Sequence, residues 1–199
     1  MIKAVIVDVG GVLIDKPVTV MFAYYSSRLK VSIADFKKAL SFVDHEWSRG
    51  ILTEKDFWQR VAVRLRVNEP TEKNLWANGF KLAYKEKQEV LDLIGLLKKQ
   101  GYELAILSNT EPPVRELFVT RKFPHFSHAV YSCEVGMMKP NRDIYDYTLS
   151  KLGVKPQEAV FIDDKQENIA GAKKAGIPTI IFTDIKTLKT ELKKLNVRW

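Results

Sequence analysis

MIKAVIVDVGG, residues 1–11, reads as a short apolar strand that stops on Asp8 and turns on Gly10 and Gly11. Its Val and Ile residues follow one another without polar alternation, the pattern of a strand buried on both faces. As a secretory leader it is poor: it carries one Lys, its apolar run is very short, and Asp8 closes it. A buried strand ending in a carboxylate, with glycines free to bend the chain next to it, is the arrangement from which the remaining sequence is read.

Further apolar runs of the same kind fall at residues 2–7, 104–107, 129–131, 160–162 and 179–182, and helical spacing is expected at 88–99, 114–118, 144–152, 168–175 and 188–195. Strands alternating with helices imply an α/β fold, a doubly wound, parallel, five-stranded, Rossmann-like sheet. One interval breaks the alternation. Between the first and second strands lie nearly a hundred residues, more than one crossover helix needs. MFAYYSSRLK, IADFKKALSFVDHEW, EKDFWQRVAVRL and TEKNLWANGFKLA all read as helical there, and Trp47, Trp58 and Trp76 fall among them. The expected organisation is a core of residues 1–15 and 85–199 with a helical cap, 16–84, inserted after the first strand. In SRGILTEKDF, Thr53 is the expected N-cap, with Asp56 three residues on.

Composition sets outer bounds. The chain has 199 residues, 46% apolar and 28% charged, enough to bury a core. No apolar run approaches the length of a membrane span. The single cysteine, Cys133, permits no internal disulfide, which fits a reducing, cytoplasmic setting, and reads as a small packing residue. The net charge of +8 suits an anionic partner, but no nucleic-acid motif accompanies it; IKTLKTELKKL at 185–195 reads as an amphipathic surface helix. His45, His125 and His128 have no metal spacing. Tyr24, Phe42, Trp47 and Arg49 are candidates to line a pocket from the inserted segment or simply to pack in it.

In doubly wound sheets ligands bind beyond the carboxyl ends of the strands. The residues that follow each strand are Asp8, then Ser108 and Asn109 in AILSNT, then Lys139 in EVGMMKPNRDIY, then Asp163 and Asp164 in VFIDDKQENI. Any one has an ordinary structural explanation, since Ser-Asn is a common turn pair; four together point to a site. Three adjacent carboxylates, Asp8, Asp163 and Asp164, repel unless a cation lies among them, and a hard divalent ion such as magnesium suits oxygen ligands and phosphate. Ser108 and Lys139 would supply a hydroxyl and a positive charge to phosphoryl oxygens, while Gly10 and Gly11 let the backbone approach the ligand. An aspartate is a competent nucleophile toward phosphorus.

These four motifs, in this order, resemble the haloacid dehalogenase superfamily. SRGILTEKDFW, LSNT and GMMKPNRDIY look most like its branch of sugar-1-phosphate phosphatases and soluble epoxide hydrolase N-terminal phosphatase domains. The resemblance implies a magnesium-dependent phosphatase acting on a small phosphomonoester, sugar phosphates favoured, through an aspartyl-phosphate on Asp8. It implies phosphate contacts from Ser108, Asn109, Lys139 and the Gly11 backbone, and a metal held by Asp8, the Gly10 carbonyl, Asp164 and Asp163, the last as ligand or as neighbour. A small phosphorylated molecule is the expected partner, with no nucleic acid and no membrane.

One departure matters. Most family phosphatases carry a second Asp two residues after the nucleophile, as proton donor to the leaving group; here that position is Gly10, and Asp15 lies too far along to stand in. A general acid contributes about two to four powers of ten, so good leaving groups are expected to be favoured. The competing readings are a dehalogenase attacking carbon, which would leave the Asp163–Asp164 pair unexplained, and a non-catalytic binding or scaffold protein.

Overall fold

The computed structural model describes residues 1–16 and 18–199. Among them the elements run β1 (Ala4–Val7), α1 (Val18–Leu29), α2 (Ile33–Leu40), α3 (Asp44–Ser48), α4 (Glu54–Leu65), α5 (Leu75–Ala83), α6 (Gln88–Lys99), β2 (Glu103–Ser108), α7 (Pro112–Arg121), β3 (His128–Tyr131), α8 (Ser132–Val135), α9 (Arg142–Leu152), β4 (Ala159–Asp163), α10 (Gln166–Lys174), β5 (Thr179–Ile181) and α11 (Ile185–Lys194). The sheet is parallel throughout, in the order β3-β2-β1-β4-β5. The expected α/β doubly wound sheet is therefore present, with strand ends within a residue or two of the sequence reading.

Connections from β1 lead to β2 on one side, and the chain reaches β4 on the other side only after β3. The change in winding direction falls beside β1, where loops diverge and leave a crevice. Two apolar layers sandwich the sheet. Val5, Val7, Leu104, Ile106, Val160 and Ile162 face one, with Val90, Ile94 and Leu97 of α6; Ile6, Ala105, Leu107 and Phe161 face the other, with Ile144, Tyr145 and Leu149 of α9. Alternation of neighbours between the two layers is the period of a strand, and burial of both sets is why no polar residue interrupts it.

The five helices α1–α5 carry an aromatic cluster. The Tyr25 and Trp76 rings stack 4.9 Å apart, Trp47 stacks on Phe57 at 4.7 Å, and Trp58 meets Tyr25 edge-on. Such pairs add about 0.5–1.5 kcal/mol each beyond their burial. Gly79 makes the Tyr25 contact possible, because a Cβ there would overlap the Tyr25 ring. The Tyr25 hydroxyl donates to Trp76 O at 2.6 Å and fixes the start of α5.

Thr53 caps α4 in a full capping box with Asp56, as its sequence predicts. The stretch IADFKKALSFVDHEW differs from the expectation of one continuous helix. It splits into α2 and α3 because Phe42 N–H bonds back to Ala39 O and Val43 N–H to Leu40 O, tightening the chain into a turn. The turn leaves Phe42 exposed and brings Trp47 to full burial. TEKNLWANGFKLA is helical only from Leu75, after Asn74 at φ 56°.

Candidate active site

Parallel pairing places the carboxyl ends of β1, β2 and β4 side by side. Val7 is in register with Ile106 and with Ile162, and Asp8 N–H extends the ladder by one bond to Ile162 O at 2.9 Å. The residues just beyond this row are what converge: Asp8 and Asp163 one step on and Ser108 two steps on, all buried. Lys139 arrives from the segment between α8 and α9. Its backbone is gripped by the Asn109 side chain, which accepts from Lys139 N–H at 2.9 Å and donates to Lys139 O at 2.8 Å. Asn109 therefore spends its amide on holding Lys139 in place.

So held, Lys139 Nζ donates to Asp8 Oδ1 at 2.8 Å, Asp163 Oδ2 at 2.7 Å and Leu107 O at 3.0 Å, all three donor positions used. Its side chain is 1% exposed, that of Asp8 8% and that of Asp163 0%. Burial raises the Asp8 carboxyl to about 6 from an ordinary value near 4; the Lys139 charge opposes the rise and Asp163 adds to it. Burial alone would lower the Lys139 ammonium, but Asp8 and Asp163 outweigh that and hold it above its ordinary value.

Asp163 is saturated on both oxygens. Besides Lys139 it accepts from Asn168 Nδ2 at 2.9 and 3.1 Å and from Lys165 N–H at 2.8 Å. Asn168 sits in the first turn of α10, and its carbonyl accepts from the buried Tyr145 hydroxyl at 2.8 Å.

Asp164 stands in contrast. Its side chain is 5% exposed, and neither oxygen accepts a hydrogen bond of good geometry; the neighbour of Oδ2 is the ammonium of Lys16, 2.6 Å away. One oxygen of each of Asp8, Asp163 and Asp164 lies within 4.8 Å of the others. Buried carboxylate oxygens without donors, with a side-chain cation drawn against one of them, are a donor set that fits a hard divalent ion. Gly11, at φ +92°, lies against this carboxylate: a Cβ there would overlap Asp164 Oδ2. A Cβ at Gly10 would meet nothing within 4 Å. The Ser108 hydroxyl accepts from Thr110 Oγ1 at 2.6 Å, which leaves its own proton free to donate.

All of this opens into one cavity of about 510 Å³. Asp8, Gly10, Ser108, Asn109, Lys139 and Asp164 line it at the sheet end, and Met21, Phe22, Leu40 and Phe80 line it from the inserted helices. The candidates Tyr24, Phe42, Trp47 and Arg49 do not line it. Tyr24 donates to Glu72, Phe42 lies exposed under Arg64, Trp47 is buried on Phe57, and Arg49 Nε donates to Gly136 O. Asp15 faces Lys87 and Lys85 instead of the cavity, so it does not replace the carboxylate absent at Gly10. Cys133 is half-buried and its thiol is pushed up to about 12, which fits packing and opposes nucleophilic use.

Among the cavity residues that sequence reasoning missed are the polar or aromatic Lys16, Asp44, Trp76 and Glu111. Only Glu111, three residues past Ser108, carried a signal that spacing from a strand end could have raised.

Comparison with known proteins agrees with this geometry. A family model described as haloacid dehalogenase-like hydrolase matches residues 2–176. The chain is 33% identical to bifunctional epoxide hydrolase 2 of Rattus norvegicus over 112 residues, 53% of this chain and 20% of that protein. It is 36% identical to glyceraldehyde 3-phosphate phosphatase of Methanopyrus kandleri over 104 residues, 50% of this chain and 45% of that one. Each match thus spans less than half of the relative's length. Among solved structures, a HAD-family enzyme of Bacteroides thetaiotaomicron in complex with magnesium and inorganic phosphate superimposes with a TM-score of 0.78 at 23% identity, covering 94% of this chain and 99% of that one.

Proposed function

The chain belongs to the haloacid dehalogenase-like hydrolases, and from that premise we propose that it is a magnesium-dependent phosphatase acting on a small phosphomonoester, with Asp8 as nucleophile. The observation that carries this reading is the saturated bridge of Lys139 between Asp8 and Asp163, set beside the unsatisfied carboxylate of Asp164. Attack on carbon would leave the Asp164 carboxylate without a role. The proposed division of the chain is a core of residues 1–15 and 85–199 and a cap of 16–84, the cap closing the far wall of the cavity.

In the proposed reaction Lys139 holds Asp8 Oδ1, which leaves Oδ2 to attack phosphorus. The P–O bond to the leaving group breaks as the bond to Asp8 forms, and the phosphoryl group passes to the carboxylate. Water then attacks the acyl phosphate, and inorganic phosphate leaves Asp8 ionised again. Asp8, Asp164 and the Gly10 carbonyl would hold a magnesium ion, which would supply positive charge to the phosphoryl oxygens. The Ser108 hydroxyl orients the transferring group, and Lys139 offsets charge on both carboxylates; the Gly11 N–H, expected to join Ser108, is instead donated to Ile14 O at 2.9 Å. Asp163 works through Lys139 and Asn168 as a positioning residue. Gly10 donates no proton, so the departing oxygen takes its proton from water, and anomeric, acyl or aryl phosphates are favoured.

A screen over sugar, acyl, aryl and alkyl phosphates, with magnesium or with chelator, tests this beside Asp8→Asn. Activity should need magnesium, favour good leaving groups and fall at least about a thousandfold in Asp8→Asn. Full activity in that variant would sink the assignment.

A further inference from the structure

Two lysines face the carboxylates of the site, and they are held in opposite ways. The Lys139 side chain is 1% exposed and spends all three donor positions on fixed partners. The Lys16 side chain is 65% exposed, and its ammonium meets one carboxylate among the described residues, Asp164 Oδ2 at 2.6 Å. The backbone that carries it is anchored up to the preceding residue: Gly11 N–H donates to Ile14 O and Asp15 N–H to Lys85 O, both at 2.9 Å. Lys16 can therefore leave Asp164 by rotating its own side chain, a motion of picoseconds to nanoseconds in exposed residues, with no shift of the strand end. Asp164 has no such freedom. Both its oxygens are closed to solvent, and the Gly11 backbone lies so close to Oδ2 that a Cβ there would overlap it. Asp164 and Lys16 both line the cavity, so the ammonium stands where an ion arriving from the cavity would meet Oδ2.

We propose that Lys16 is a built-in competitor of the metal: it rests on Asp164 while the site is metal-free and is displaced when magnesium binds. This inference rests on the reading of Asp164 as a magnesium ligand and adds a regulation of that same site. Charge favours an exchange over joint occupancy. With Asp8, Asp163 and Asp164 ionised, three negative charges face the two ammoniums of Lys139 and Lys16, and one negative charge is in excess. A divalent ion that replaces Lys16 brings the site to neutrality. One that binds beside Lys16 leaves the site positive and sets two cations against one oxygen. The contact is also weak enough to give way. An ammonium that stands mostly in water gains little from its partner, whereas a hard divalent ion draws on the oxygens of Asp8 and Asp164 together. Lys16 thus supplies a counter-charge to a buried carboxylate that would otherwise have none, and holds the affinity for the ion below what the carboxylates alone would give.

The test reads magnesium binding by calorimetry on the full chain, and Tm in chelator and in saturating magnesium, with no substrate present. Lys16→Met keeps the stem and removes the charge. Lys165→Met removes the charge of another lysine of the same cavity that is not paired with Asp164, and so controls for the general field of the site. Asp164→Asn reports whether the ion sits on Asp164 at all. Lys16→Met should bind magnesium about threefold to tenfold more tightly than wild type, and Lys165→Met should change by less than about twofold. In chelator the Tm of Lys16→Met should fall by about 1–5 °C, and saturating magnesium should return it to the wild-type value, because the metal-loaded protein does not use the pair. An affinity in Lys16→Met equal to or weaker than wild type, or an equal gain in both lysine variants, overturns the competitor while magnesium binding stands. No magnesium binding in wild type or in Lys16→Met, or binding that survives in Asp164→Asn, overturns it together with the reading of Asp164 on which it rests.

Discussion

Replacing Lys139 by Met keeps the buried stem and removes the charge, so it measures what the ammonium does for the fold. In the native site one ammonium faces two carboxylates at 2.8 and 2.7 Å. After the change Asp163 keeps three donor contacts, from Asn168 and Lys165 N–H, whereas Asp8 loses its only side-chain donor. The cost therefore falls on Asp8, and removing one partner of a buried pair costs about 3–5 kcal/mol. Its pH dependence follows from the same geometry. The native Asp8 carboxyl titrates near 6, above its unfolded value, because burial outweighs Lys139. Without Lys139 it rises further, so the folded variant holds a proton that its unfolded chain has released. Stability of the variant must then fall as pH rises, by about 1.4 kcal/mol per unit for one proton. Above pH 6 the wild type has already lost that proton and is flat in this group. From pH 6 to pH 8 the gap between the two should widen by up to about 2.7 kcal/mol. Urea denaturation followed by tryptophan fluorescence, in chelator so that no added cation replaces the ammonium, reads both numbers. A loss below about 1 kcal/mol at pH 8, or an equal loss at pH 6 and pH 8, would refute the reasoning.

Gly10→Asp should fold normally, because a Cβ there meets nothing within 4 Å, and should raise kcat/KM on alkyl phosphates about tenfold to a hundredfold, with a smaller gain on aryl phosphates. An equal gain on both classes would show that leaving-group protonation is not what the native site lacks. Magnesium at a hundred times its dissociation constant should raise Tm by about 5–10 °C, a stabilisation of about 2.7 kcal/mol, and Asp164→Asn should remove the shift. A shift that survives in Asp164→Asn would place the ion elsewhere.

The parts of this molecule that could be read from sequence are those fixed by short-range pattern. Asp8, Ser108 and Asp163 each end an apolar strand, and parallel pairing brings strand ends together whatever the loops do. What pattern cannot carry is orientation. Asn109 and Lys139 are both named by their motifs, but that the Asn109 amide clasps the Lys139 backbone is a contact across thirty residues. Periodicity reads 33–47 as one helix because Phe36, Leu40 and Trp47 keep helical spacing; the turn at Ser41–Val43 is visible only in its backbone hydrogen bonds. Lys16, Asp44 and Trp76 reach the cavity through the packing of the inserted helices, for which local sequence offers no template.

Gly10 and Gly11 look alike in sequence and are under opposite constraints. Gly11 has φ +92°, and the space a side chain would need is filled by the Asp164 carboxylate, so backbone and metal-site geometry both demand glycine. Gly10 has neither restriction. Its backbone is not in the left-handed region and its Cβ direction is open. An aspartate would fit there without strain, so the missing acid is a chemical property of this site and not a by-product of the tight turn. Activity must then come from substrates whose oxygen leaves without a donated proton. With that condition met at Gly10, discrimination among such substrates falls to the wall of the cavity that Met21, Phe22, Leu40 and Phe80 build.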